Sequence, residues 1–182
     1  MHHVAGLRVD VDRAARALEH LALHGVEQGL AALAFGGSNS QKTEHYDGSA
    51  WTLGGNLLAA RQNHGGCGNP FAALAIGGQR SSALATHEQY NGTTWLSGAA
   101  SLASARITPG TAGNPSSAIA FGGLNGTPLG STETWNGNTW AAGPNLATAR
   151  YAHAGSGSSS SALSSGGYGS SGALGSSEKY RA

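Results

Sequence analysis

An internal echo constrains this chain more than any other feature. The segment Ala32-Leu33-Ala34-Phe35-Gly36-Gly37 returns as Ala73-Leu74-Ala75-Ile76-Gly77-Gly78, as Ala118-Ile119-Ala120-Phe121-Gly122-Gly123 and, altered, as Ala162-Leu163-Ser164-Ser165-Gly166-Gly167. The first glycines stand 41, 45 and 44 residues apart (36 to 77, 77 to 122, 122 to 166). A period of this size marks a fold of equivalent units that bury their faces on one another, because one unit alone has too little apolar surface to stay folded.

A second element follows each glycine pair: Thr43-Glu44-His45-Tyr46, His87-Glu88-Gln89-Tyr90, Thr132-Glu133-Thr134-Trp135 and Ser177-Glu178-Lys179-Tyr180. A Glu two residues before an aromatic shares a strand face with it. Beyond the aromatic, three units place a Trp (Trp51, Trp95 and Trp140) across Asp47-Gly48, Asn91-Gly92 and Asn136-Gly137. Such dipeptides between β-prone residues are the strongest short-range hairpin signal, since the tight turn requires positive φ. Arg61, Arg106 and Arg150 each stand 16 residues before a first glycine. Between Arg and glycine lie a glycine-rich stretch such as 62–68 and a turn at Asn69-Pro70 or Asn114-Pro115. One unit therefore reads as four short strands: an Arg-led strand, an apolar strand ending in Gly-Gly, a Glu-x-aromatic strand and a Trp strand. Four-stranded units of this length are propeller blades.

The pattern resembles the kelch repeat, in which an apolar strand ends in a double glycine and is followed by a Tyr and then a Trp. The Arg-x-x-His of Arg61 to His64 and of Arg150 to His153 is similar to the start of a kelch blade's first strand. The Gly, Ala, Ser, Thr and Asn bias is similar to that of kelch-like repeats in phage and environmental bacterial proteins. The resemblance runs through nearly the whole chain after about residue 17, and departs from familiar kelch domains in having only four blades. It implies an all-β fold: one small β-propeller of four kelch-like, four-stranded blades. Residues 1–16 are then a closing strand and linker, 17–60 the first blade, 61–105 the second, 106–149 the third and 150–182 an incomplete fourth. A single domain fits the length.

The fourth unit stops at Tyr180-Arg181-Ala182, before a Trp strand. Leu7-Arg8-Val9-Asp10-Val11-Asp12 alternates apolar and charged residues, which predicts a strand that completes the fourth blade and covers its edge. Two alternatives stand beside it. Residues 11–23 have helix propensity, and two or more chains can share one ring. Sixteen residues before Gly36, the Arg position is occupied by His20.

The recurrent residues read as scaffold. Glu44, Glu88, Glu133 and Glu178 are expected to be buried and paired with Arg61, Arg106 and Arg150, which offer bidentate donors to a desolvated carboxylate. Tyr46, Tyr90, Trp135, Tyr180, Trp51, Trp95 and Trp140 are expected as wedges between blades. A sugar-stacking role is the alternative for some Trp edges. Eight His residues include no pair at a spacing typical of metal ligands on one element, apart from His2-His3. His64 and His153 are equivalent positions whose counterparts are Leu23 and Pro109, so a shared metal site is not expected. Some kelch-repeat propellers are copper oxidases that need a Cys–Tyr cross-link and two His, and Cys67 in its glycine-rich stretch does not match that arrangement. Cys67 reads as a small buried residue. No nucleophile elbow or phosphate loop is recognisable. The expectation is therefore no enzyme, no cofactor and no metal.

Ten Lys plus Arg against nine Asp plus Glu leave a net charge of +1, so no electrostatic footprint for nucleic acid is present. Residues 1–12 fit neither a signal peptide nor a transmembrane helix. The resemblance implies a structural or binding module of a virion or extracellular surface, such as a phage tail-fibre, tail-associated or capsid-decorating protein. Its expected partners are other virion or surface proteins or a host glycan, and it is expected to be a homo-oligomer within an assembly. An intracellular kelch-type adaptor and a secreted lectin-like propeller are the alternatives. The segments between Gly-Gly and Glu vary most, so Ser38, Asn39, Gln79, Arg80, Asn125 and Thr127 are the candidate binding-loop residues.

Overall fold

The structure is a computed structural model and describes residues 31–181. The strand expected at 7–12, its helical alternative at 11–23, and His20 lie outside the described residues. The described chain is all β, in four main antiparallel sheets that follow the four sequence units. Sheet 1 is β1 (Ala32–Phe35), β2 (Thr43–Tyr46) and β3 (Trp51–Leu53). Sheet 2 is β4 (Gly65–Asn69), β5 (Ala72–Ile76), β6 (His87–Tyr90) and β7 (Trp95–Ser97), paired in chain order. In the third unit, β8 (Gly110–Asn114) and β9 (Ser117–Phe121) precede a two-stranded ribbon of β10 (Leu124–Asn125) and β11 (Thr127–Pro128). Then β12 (Thr132–Trp135) and β13 (Trp140–Gly143) complete sheet 3 in the order β8-β9-β12-β13. Sheet 4 is β14 (Ala154–Gly157), β15 (Ser161–Ser165) and β18 (Ser177–Arg181), with β16 (Tyr168–Gly169) and β17 (Gly172–Ala173) as a second ribbon.

The strand expected to be led by the Arg is displaced. Arg61, Arg106 and Arg150 lie in the connections, and the first strand of each unit begins only four residues later, at Gly65, Gly110 and Ala154. The glycine-rich stretch is itself the strand. Close packing explains its composition, since β8 lies against both β4 and β14. Thr111 Oγ1 on β8 donates to the Gly66 carbonyl on β4 at 2.9 Å. A Cβ on Gly65 would fall 2.3 Å from the Thr111 side chain, and one on Gly155 would fall 2.6 Å from the Thr111 backbone. Where three strands approach this closely, glycine is the residue that fits.

The hairpins form where read, but as four-residue loops (47–50, 91–94 and 136–139) in which Gly48, Gly92 and Gly137 take positive φ and Asp47, Asn91 and Asn136 do not. Asp47, Asn69, Asn91, Asn114 and Asn136 each place Oδ1 on the two backbone N–H groups two and three residues on. These Asx turns fix the tips and hence the register of the strands they join.

Register then decides which side chains share a face. Ala73, Tyr90 and Trp95 lie in one row of sheet 2, Ala118, Trp135 and Trp140 in the same row of sheet 3, and Ala32, Tyr46 and Trp51 in that of sheet 1. The opposite face of β1, β5 and β9 carries the bulkier residues: Leu33 and Phe35, Leu74 and Ile76, Ile119 and Phe121. Consecutive sheets bury one kind of face on the other. Leu33, Phe35 and Leu57 receive Ala73, Ala75, Tyr90 and Trp95. Leu74, Ile76 and Leu102 receive Ala118, Ala120 and Trp135. Ile119 and Phe121 receive Ala162 and Tyr180. The small Ala row lets each incoming sheet come close enough for its aromatics to fill the remaining space.

Candidate functional site

The most elaborate polar arrangement is a clasp built once per unit. The first glycine of the pair is left-handed, as at Gly77 (φ 63) and Gly122 (φ 61), and so turns its carbonyl back toward the unit's own Arg. Arg106 Nη1 donates to the carbonyls of Gly122 (2.9 Å) and Ser131 (3.0 Å), while Nη2 reaches Glu133 Oε1 at 2.5 Å. Glu133 also accepts the backbone N–H groups of Ala103 (2.7 Å) and Ser104 (3.2 Å). Arg61 treats Gly77, Thr86 and Glu88 in the same way, and Glu88 holds Leu58 and Ala59. Arg150 repeats the set with Gly166, Ser176 and Glu178, and Glu178 holds Ala147 and Thr148.

The expected Arg–Glu pairing is present for these three units, at 2.6, 2.5 and 2.6 Å. The bidentate form is not. One guanidinium nitrogen meets one carboxylate oxygen, because Nη1 is turned to two carbonyls and the second carboxylate oxygen to the connecting backbone. Each carboxylate is thereby surrounded by donors, which is what a desolvated ion pair needs to be tolerated, while Arg61 Nε is buried without a partner among the described residues. Burial works against ionisation of Glu178, yet the Ala147 and Thr148 N–H groups and Arg150 hold its carboxyl below the ordinary value. Glu44 is half-buried, and its Arg-equivalent position, His20, is outside the described residues.

The clasp also couples neighbours. The second glycine of each of the first three pairs donates its N–H to the Arg carbonyl of the following unit: Gly37 to Arg61 (2.9 Å), Gly78 to Arg106 (2.9 Å) and Gly123 to Arg150 (2.8 Å). A second backbone link lies two residues after each Arg. There Asn63, Thr108 and Ala152 are all left-handed (φ 55, 49 and 50), with Thr108 N–H on the Asn63 carbonyl at 2.7 Å and Ala152 N–H on the Thr108 carbonyl at 3.3 Å. Nothing in these three unlike residue types announces the shared conformation; only their fixed offset from Arg does.

The aromatic residues divide. Trp95 and Trp135 are fully buried, Tyr90 and Tyr180 nearly so, and Trp140 is half-buried. Trp51 departs from the expected wedge and leaves 46 % of its surface exposed. His64 and His153 pack against the first glycine of the preceding unit: a Cβ on Gly36 would lie 2.5 Å from His64 Cε1, and one on Gly122 would lie 2.7 Å from His153 Cε1. Burial, with Arg150 next, pushes the His153 imidazole down to about 4. Burial likewise lowers His87, whose Nδ1 accepts from Trp140 Nε1 at 3.2 Å. The Cys67 thiol, buried as read, is pushed up to about 12 by desolvation.

The candidate binding residues lie in the connections that follow the glycine pairs, at the opposite strand ends from the Asx tips. Ser38 and Asn39 form a left-handed turn (φ 46 and 57), Gln79 and Arg80 a bridged loop, and Asn125 and Thr127 the exposed ribbon β10-β11. Ser38, Asn39, Arg80, Asn125 and Thr127 are exposed and Gln79 half-buried. Among the described residues, no three of His, Cys, Asp and Glu come together as a metal-holding group. A cleft lined by Leu33, Phe35, Cys67 and Ala73 has room for little more than a water molecule. No described helix is long and apolar enough to cross a membrane. Comparison with protein-family models and with curated proteins yields no match to this chain.

Proposed function

We propose that the chain is a non-enzymatic structural or binding module. Its units are blades of a kelch-like propeller, and its variable loops are the contact surface for a protein lattice, that of a virion first, or for a surface glycan. The observation that carries this reading is the division of labour between recurrent and variable residues. Arg106, Glu133, Gly122 and Gly123 spend their polar groups on one another and on the next unit's backbone. The residues that differ from unit to unit, such as Asn39, Arg80 and Asn125, stand exposed in the connections after the glycine pairs. A rigid scaffold beneath short polar loops suits wet, hydrogen-bonded contacts with protein or sugar.

Density-gradient fractionation of particles from cells that carry the gene tests it. The chain is expected to sediment with the particles. A variant with Asn39→Ala, Arg80→Ala and Asn125→Ala is expected to leave that fraction while its melting temperature stays unchanged. A chain that remains at the top of the gradient and is retained by no immobilised glycan overturns the proposal.

A further inference from the structure

The end sheets expose the two kinds of face that meet three times inside the chain. On sheet 1, the rings of Tyr46 and Trp51 lie 5.2 Å apart at 35°. The pairs Tyr90–Trp95 (5.0 Å, 37°), buried, and Trp135–Trp140 (5.3 Å, 37°), with Trp140 half-buried, have the same arrangement. The aromatic plug of sheet 1 is therefore already assembled, yet Trp51 is 46 % exposed where Trp95 is 2 %. On the far face of sheet 4, Leu163 stands where Leu74 and Ile119 stand in sheets 2 and 3, and is 42 % exposed where they are fully buried. Gly166 repeats the left-handed turn at φ 67. A Cβ on Gly36, Gly77 or Gly122 would fall 3.1, 2.6 or 2.5 Å from the next unit's Arg carbonyl, whereas the nearest atom to one on Gly166 is Leu174 O of its own unit, at 3.6 Å.

Resting on the blade reading above, we propose that a second copy of this chain covers these faces, with the Tyr46–Trp51 plug of one copy seated on Leu163 and the Gly166-Gly167 turn of the other. Three internal junctions supply the template, two of them with a pair of aromatics and the third with Tyr180 alone. Both faces are open in the same chain, so neither covers the other. Polar groups fit as well. Lys179 holds the register position of His45, whose Nε2 lies 2.6 Å from the Tyr90 hydroxyl across the first junction, so sheet 4 offers an ammonium donor to the hydroxyl of Tyr46. The contact joins unlike faces, head to tail, and two copies that contact twice close a ring.

Sedimentation equilibrium on the full chain over a concentration series tests this, with Trp51→Glu, Leu163→Glu, their equimolar mixture, and Phe71→Ser as an exposed control away from both faces. Wild type and Phe71→Ser are expected to reach at least twice the monomer mass. Each face variant alone is expected to associate roughly tenfold or more weakly. The mixture is expected to regain a complex, because each partner keeps the face the other has lost. A wild-type monomer at every concentration overturns the proposal. Unimpaired variants, or a mixture that stays monomeric, also overturn it. Trp95→Ala separates this failure from that of the blade reading: if its thermal midpoint matches wild type, the blades themselves are wrong. If it drops while wild type stays monomeric, only the second copy is.

Discussion

Trp95 in sheet 2 and Trp51 in sheet 1 hold the same register position, lean on the same kind of Tyr and close the same kind of hairpin, yet one is buried and the other almost half exposed. Glu133 and Glu178 make a similar contrast. Each binds its Arg and two backbone N–H groups, but the Glu133 side chain is 5 % exposed and that of Glu178 19 %. The local structure of a unit is thus written in the unit itself, whereas its burial, and with it most of its stability, is conferred by the sheets on either side. This is the behaviour expected of a nearest-neighbour array.

Three measurements break or sharpen that contrast. Trp95→Ala removes a filled wedge and is expected to cost about 3 to 5 kcal/mol in urea unfolding. Trp51→Ala, in dilute protein, is expected to cost under about 1 kcal/mol; equal losses would mean that the ends are as well packed as the middle. Next, Glu133→Ala leaves a buried guanidinium without its carboxylate, and a loss of about 3 to 5 kcal/mol is expected. Glu178→Ala, with solvent at hand to take up the exposed donors, is expected to cost clearly less, and a reversed order would refute the contrast.

The smallest effect concerns pH. His153 has a folded value near 4 against about 6.5 when unfolded, so the folded state binds fewer protons. Its contribution is complete above about pH 6.5 and is lost as the pH falls toward 4, by about 3 kcal/mol at most. The urea midpoint is expected to decline across this window and to decline less in His153→Leu. Glu178, also lowered, moves stability in the same direction but at more acid pH, since its ordinary value is 4.5. An unchanged slope in His153→Leu would remove His153 from the account.

Much of this was legible in the residues. The glycine pairs, the hairpins at Asp47, Asn91 and Asn136, the Arg–Glu pairing and the buried Trp95 all follow from local chemistry repeated at a fixed offset. Three features were not. The strand at Gly65–Asn69 was hidden because glycine has low strand propensity and is selected there by the approach of β8, a contact between units. The single-point geometry of the ion pair was hidden because the competing carbonyls and N–H groups come from turns whose shape no side chain encodes. The exposure of Trp51 was hidden because its sequence context matches that of Trp95, and only the neighbouring sheet differs.

Each Arg of the clasp faces two ways: its guanidinium grips its own unit, and its carbonyl receives the glycine N–H of the unit before. Gene duplication therefore has an easy target. An in-frame copy of one period, cut at any point along it, regenerates both halves of the contact at the new joint. Arrays of this kind can lengthen or shorten by whole periods during evolution while the loop sequences diverge independently, without any new joint having to be invented.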